Sequence, residues 1–278
     1  MPLTPLQRRV VATLRRNRHP GSHVAWSLPL HTAPDSQRVS RDLDLFHDAQ
    51  AALAAATTAD IDALITDGLH VARTDRWSDT FRRAVVSTAD DPERLEIDWA
   101  VDSAWRFFPP VQDPVLGWRL HDVDNACNKA LALASRSETR DLIDIVAWHH
   151  RLDLAVILWA ACGKDPGFTP LSLLDHMRRQ ARIDPAQLAV LKAASIDPVR
   201  LKTTWLDLAD DAERRISRHA GGPDGAVIGV LYLGDAGRPV WPDPARPATA
   251  QGLTPHHPSV GGCIPRLVGI EPPPPSTR

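Results

Sequence analysis

The stretch Ser40–Asp48, "SRDLDLFHD", alternates aspartate with leucine in what otherwise reads as a buried strand. Alternate side chains on a strand share a face, so Leu43 and Leu45 point one way, Asp42 and Asp44 the other, about 7 Å apart. Residues 94–101, "RLEIDWAV", repeat the arrangement, with Leu95, Ile97, Trp99 and Val101 on one face and Glu96 and Asp98 on the opposite one. If the two strands are neighbours, Asp98 approaches the Asp42/Asp44 pair. Three ionised carboxylates repel one another unless a hard cation compensates. Magnesium suits the position because it takes oxygen ligands, keeps several waters and accepts substrate phosphates. Two such ions can stabilise the attacking and leaving oxygens of a phosphoryl-type displacement. A solvated strand face or a set of capping residues explains the same spacing, and spacing alone does not choose.

Outward from this stretch the chain falls into two parts. Leu6, Val10 and Leu14 recur at helical spacing within residues 4–17. "SHVAW" (22–26) reads as a strand, followed by Ser27, which is placed to cap a short helix with Pro29 in its first turn. Alanine-rich 48–67 reads as a helix closing near Gly68, and 70–75, 81–88 and 94–101 read as strands. After Pro109-Pro110 the pattern changes, and from Asp122 to about Ser217 nearly all of it is helical. A hairpin is expected to turn at Gly234–Gly237, and the Gly/Pro-rich sequence beyond Asp243 is expected to lack fixed structure. The expected fold class is therefore α+β: an N-terminal mixed sheet with helices, then a helical C-terminal half. The expected organisation is an α/β domain at 1–120, a helical domain at 121–220 completing an active-site cleft, a hairpin at 221–243 and a tail at 244–278.

Composition narrows the function classes. The 278-residue chain carries a formal net charge of −2, which predicts no general attraction to nucleic acid or membrane. Three widely spaced cysteines, Cys127, Cys162 and Cys263, form neither a disulfide framework nor a metal-spaced set, which suits the cytoplasm. The most apolar run, "LDLAVILWAACG" from Leu152, is too short to span a bilayer and reads as a buried helix.

"SHVAWSLPLHTAPDSQRVSRDLDLFHD" resembles the opening motif of the nucleotidyltransferase superfamily: strand, Gly-Ser or Gly-Gly turn, short helix, then Asp-x-Asp on the next strand. More specifically, Arg38-Val39-Ser40-Arg41-Asp42-Leu43-Asp44-Leu45 is similar to the Asp-x-Asp context of AbiEii/AbiGii-type nucleotidyltransferase toxins, MenT-like members of the minimal nucleotidyltransferase group. A second block, "DVDNACNKALALASRSETRDLIDIVAW" (122–148), resembles that family's lysine motif and its Arg-Asp-x-x-Asp motif, at Lys129 and at Arg140, Asp141 and Asp144. The turn departs from the pattern: Ser27 satisfies its second position, but Trp26 stands where the family has glycine.

The resemblance implies transfer of a nucleotide from an NTP to an acceptor hydroxyl, dependent on Mg²⁺ or Mn²⁺. It implies Asp42, Asp44 and Asp98 as metal ligands, and Lys129, Asp141 and Asp144 as further catalytic groups. Nucleotide contacts are implied at Ser27, Ser40, Lys129 and Arg140. A tRNA 3′ end as acceptor, a toxin role and a cognate antitoxin as partner follow from the same likeness, with no membrane involved. Plainer roles stand beside these: Asp141 as a first-turn residue meeting the helix dipole, Asp144 paired with Arg140, and Arg8, Arg9, Arg15 and Arg16 as a solvated face rather than an RNA-steering one. Two other functions suit the same residues, a non-catalytic nucleotide or partner binder with Trp26 as its main support, and a phosphotransferase acting on protein.

Overall fold

Alternation in the two acidic stretches builds the middle of a seven-stranded mixed sheet. The computed structural model describes residues 3–32, 36, 38–40, 42–191, 196–220 and 227–265, and the chain divides into two compact units. The remainder of the expected hairpin and tail, residues 221–226 and 266–278, lies outside the described residues.

The first unit comprises residues 1–125, 183–201 and 260–262. Helix α1 (Pro5–Leu14) starts in a capping box in which Thr4 and Gln7 exchange side-chain and backbone hydrogen bonds, with proline in the first turn where its missing N–H costs nothing. There follow β1 (Ser22–Val24), β2 (Asp42–His47), α2 (Gln50–Thr66), β3 (His70–Trp77), β4 (Phe81–Ser87), β5 (Arg94–Val101), β6 (Trp105–Arg106), β7 (Val111–Asp113) and β8 (Gly117–Arg119). The large sheet runs β3-β4-β5-β2-β1-β8-β7. Strands β2 and β5 are parallel neighbours, β4 is antiparallel to β5, and β1 is antiparallel to β2. The strand adjacency on which the acidic reading depends is therefore present.

Leu43, Leu45, Leu95, Ile97 and Trp99 are buried together with Leu6, Val10 and Leu14 of α1 and Leu53, Ile61 and Leu64 of α2. One face of the sheet thus carries the core, and the Asp42/Asp44 face is left out of it. Asp60 lies within the same buried stripe of α2. It accepts two hydrogen bonds from Arg18 (2.5 and 2.6 Å), one from Asn17 (2.8 Å) and one from the Trp99 indole (2.8 Å).

Two histidines sit on the adjacent strands β1 and β2. His23 on β1 and His47 on β2 are fully buried. Burial, reinforced by the Arg106 charge, pushes His23 down to about 3. Burial and the Arg18 charge push His47 down to about 4. In the unfolded chain both take up protons near 6.5. Between those values the unfolded state binds more protons than the folded one, so stability rises with pH in that window and is lost on acidification. Each histidine contributes up to about 1.4 kcal/mol per pH unit there. The urea midpoint is expected to fall steadily from pH 7 to pH 4.5, and less steeply in a His23→Leu variant; a flat wild-type profile contradicts this.

The second unit comprises residues 126–182, 202–259 and 263–278. Its helices come from α3 (Asp122–Ser135), α4 (Thr139–Trp148), α5 (Leu154–Ala161), α6 (Pro170–Gln180) and α8 (Pro198–Ala220), while α7 (Pro185–Val190) belongs to the first unit. Every residue of α5 is buried, as its apolar run predicts, and its N-terminus is capped by Asp153. The helical C-terminal half and the mixed N-terminal sheet together give the expected α+β class. Among the described residues no helix is long and apolar enough to cross a membrane.

Strand β9 (Leu231–Leu233) leads into a turn at Gly234–Gly237, closed by Gly234 N–H to the Arg238 carbonyl at 3.1 Å. Past Asp243, strand β10 (Thr254–His256) pairs antiparallel with β9. The physical reason is Leu253, which packs with Val230 and Tyr232 and anchors a segment whose proline and glycine content reads as structureless.

Candidate functional site

The register of three strands assembles a charged row on the face of the sheet opposite the leucine core. Asp44 on β2 lies opposite Asp98 on β5, and Asp42 lies opposite Glu96. Neighbouring strands are about 4.8 Å apart, so four carboxylates share one small patch. On the far side of β5, Arg83 of β4 lies opposite Asp98. Its guanidinium donates to both Asp98 oxygens at 2.6 Å and reaches Glu96 at 3.2 Å. The hydrogen bond with Asp98, aided by the charges of Asp98, Glu96 and Asp42, raises the Arg83 pKa further above its usual range.

A strained turn closes the β1 end of the row. The Ala25 N–H donates to the Asp44 carbonyl, and the next residue, Trp26, has a φ of 63°. That is the left-handed region where glycine is favoured and a bulky residue is an outlier. Trp26 thus adopts a backbone shape that glycine takes most readily. Asn125 holds it there: its Oδ1 accepts from the Trp26 N–H at 2.8 Å, and its Nδ2 donates to the Trp26 carbonyl at 2.6 Å. Strain of about 1–3 kcal/mol persists only where surrounding contacts enforce it, and this two-point clamp is such a contact. The indole packs tilted against Phe46, ring centres 6.3 Å apart. Phe46 is two residues beyond Asp44 on the same strand, so the indole borders the acidic patch.

Ser27 and Ser40 are both buried. Ser27 precedes the short 3-10 turn Leu28–Leu30 without capping it. Its hydroxyl instead accepts from Arg38 at 2.7 Å, and Arg38 is itself buried. The Ser40 hydroxyl donates to the Asp42 carbonyl at 3.1 Å, and Gln7 of α1 donates to the Ser40 carbonyl. The loop before β2 is thereby stitched to the turn after β1 and to α1.

Oxygen-only donors two residues apart on one strand face suit a hard divalent cation that retains water, so Asp42 and Asp44 fit such an ion. Asp98, expected as a third ligand, lies opposite Asp44 and accepts one hydrogen bond from Arg83 on each of its oxygens. Among the described residues no group of three or more His, Cys, Asp or Glu side chains is arranged to hold a metal ion.

The second unit holds a cluster of its own. Lys129 of α3 donates to Asp141 at 3.1 Å and lies 2.8 Å from Asp144, both on α4. All three are buried, and Arg136 adds a further contact to Asp141 at 2.7 Å. Asp141 and Asp144, three residues apart, share a helix face, which lets one ammonium reach both. Asp144 thus meets Lys129. Arg140 is half-buried, 3.9 Å from Glu138.

Arg83 and Asn125 escaped the sequence reading. Arg83 was recoverable in principle: an antiparallel hairpin between residues 81–87 and 94–101 pairs it with Asp98, and the two charges are complementary. Nothing local marks Asn125, which meets Trp26 across 99 residues.

No protein-family model matches the chain, and no curated protein does. Among solved structures, JHP933 from Helicobacter pylori is similar over 76% of this chain and 91% of its own, at 18% identity and a TM-score of 0.43. MenT4, a nucleotidyltransferase toxin from Mycobacterium tuberculosis, is similar over 73% of this chain and 91% of its own, at 12% identity and a TM-score of 0.45. Likenesses of that extent do not assign an activity.

Proposed function

We propose that this chain is a nucleotidyltransferase that moves a nucleotide from an NTP to an acceptor hydroxyl. The observation that carries the reading is the register: Asp44 opposite Asp98 on parallel strands, with Asp42 on the same face. The resemblance of Arg38–Leu45 to the Asp-x-Asp motif of nucleotidyltransferase toxins supports it. Mg²⁺ or Mn²⁺ held by Asp42 and Asp44 would neutralise triphosphate charge. The acceptor oxygen bonds to the α-phosphorus, the bond from that phosphorus to its bridging oxygen breaks, pyrophosphate leaves, and the hydroxyl proton passes to solvent or to a carboxylate.

In this reading the chain's own residues chiefly position. Arg38 and Ser40 fix the approach to β2, and Ser27 belongs to the same buried network rather than presenting a free hydroxyl. Asn125 keeps the Trp26-Ser27 turn in shape. Lys129, with Asp141 and Asp144, forms a buried charge cluster within the second unit, and a direct contact of Lys129 with an anion requires its ammonium to leave those carboxylates. Arg140 lies beside them in sequence as the motif's arginine. We take a tRNA 3′ end as the acceptor and a toxin restrained by an antitoxin as the setting, both on the strength of the sequence resemblance alone.

A second reading, a non-catalytic nucleotide binder, is favoured by one feature, the Trp26 indole beside the acidic patch. Incubation with NTPs labelled at the α- or γ-phosphate, Mg²⁺ and total tRNA separates the possibilities. Transfer of α-label to RNA is expected. Transfer of γ-label alone identifies a phosphotransferase, and binding of NTP without transfer of either label identifies the non-catalytic form.

A further inference from the structure

Arg83 stands where the acidic row needs positive charge. Four carboxylates, Asp42, Asp44, Glu96 and Asp98, lie in register on one face of β2 and β5, and the Arg83 fork is bonded to two of them. A cross-strand ion pair is the ordinary use of such a residue. Two observations go further. The fork takes both oxygens of Asp98, the carboxylate opposite Asp44 in register, so a cation reaching Asp98 has to share it with a guanidinium or displace that guanidinium. Its side chain also remains 22% exposed, and Thr74 bonds the Arg83 carbonyl rather than the guanidinium, so the backbone is held independently of the head.

We propose that Arg83 is a built-in counter-ion that competes with a divalent cation for Asp98, so that the protein binds its metal through Asp42 and Asp44 alone until Arg83 lets go. The inference rests on the metal reading of that pair given above. A guanidinium satisfies a carboxylate bidentately, whereas a lysine ammonium offers a point charge. Weakening the fork is therefore expected to release Asp98 in steps.

Mn²⁺ alone, titrated calorimetrically into the full chain, tests this without any turnover. Arg83→Gln is expected to bind Mn²⁺ about tenfold more tightly than wild type, Arg83→Lys by a smaller factor, and the gain is expected to vanish in Arg83→Gln combined with Asp98→Asn. Arg83→Lys retains a positive charge on β4 and serves if the glutamine variant fails to fold. Mn²⁺ binding of equal strength in wild type and both Arg83 variants overturns the counter-ion role and leaves the proposed function standing. Absence of Mn²⁺ binding in every variant overturns the metal reading itself, and this inference with it.

Discussion

An Asp44→Asn chain is expected to lose transfer of the α-label by at least about a hundredfold, the size of effect seen when a group that stabilises transition-state charge is removed. Its urea midpoint is expected to stay near that of wild type. The separation follows from position. Asp44 points away from the leucine core, so exchanging its carboxylate for an amide of the same shape leaves the packed core in place. Asp98→Asn makes the contrast: it strips the half-buried Arg83 of its two shortest bonds and is expected to lower stability as well as transfer. Label transfer unchanged in Asp44→Asn would sink the catalytic reading of the row, whatever the protein binds.

The parts of this site that were legible in the sequence are those governed by short-range periodicity. The two-residue alternation in "DLDLF" and "RLEIDW" fixes which side chains share a face, and the structure places Leu43, Leu45, Leu95 and Ile97 in the core accordingly. What periodicity cannot give is which strands lie side by side. That β5 sits next to β2, and β4 next to β5, follows from how the whole sheet closes, and it decides that Asp98 meets both Asp44 and Arg83. Trp26 shows the opposite failure. Local propensity argues against tryptophan at positive φ, and a clamp from 99 residues away overrides it. Leu253 similarly overrides the composition of its own segment. In each case the missing information is a contact between distant residues, and no window on the chain contains both partners.

The largest loss of stability is expected at Asp60, a residue that looks in sequence like one more polar position on an alanine-rich helix. Asp60→Ala leaves the Arg18 guanidinium buried without its partner, together with the donors of Asn17 and Trp99. Burial already presses the Arg18 pKa down, and the Asp60 charge opposes that pressure. Breaking a buried ion pair from one side costs about 3–5 kcal/mol, because the surviving charge keeps its desolvation penalty and loses its compensation. Urea unfolding at pH 7 measures it, and a loss below about 1 kcal/mol means that water reaches Arg18. Replacing both members, Arg18→Met with Asp60→Leu, is expected to recover part of the loss, since two desolvation penalties disappear together. Recovery is expected to be incomplete in function. The Trp99 indole that donates to Asp60 follows Asp98 directly on β5 and faces the opposite side of the sheet. The bond therefore holds from behind the strand that presents Asp98 in front, and freeing the indole lets the acidic row shift against β2. A double variant that regains the wild-type urea midpoint yet transfers α-label more slowly is the signature of that coupling, and full activity at full stability would show the two faces of the strand to be independent.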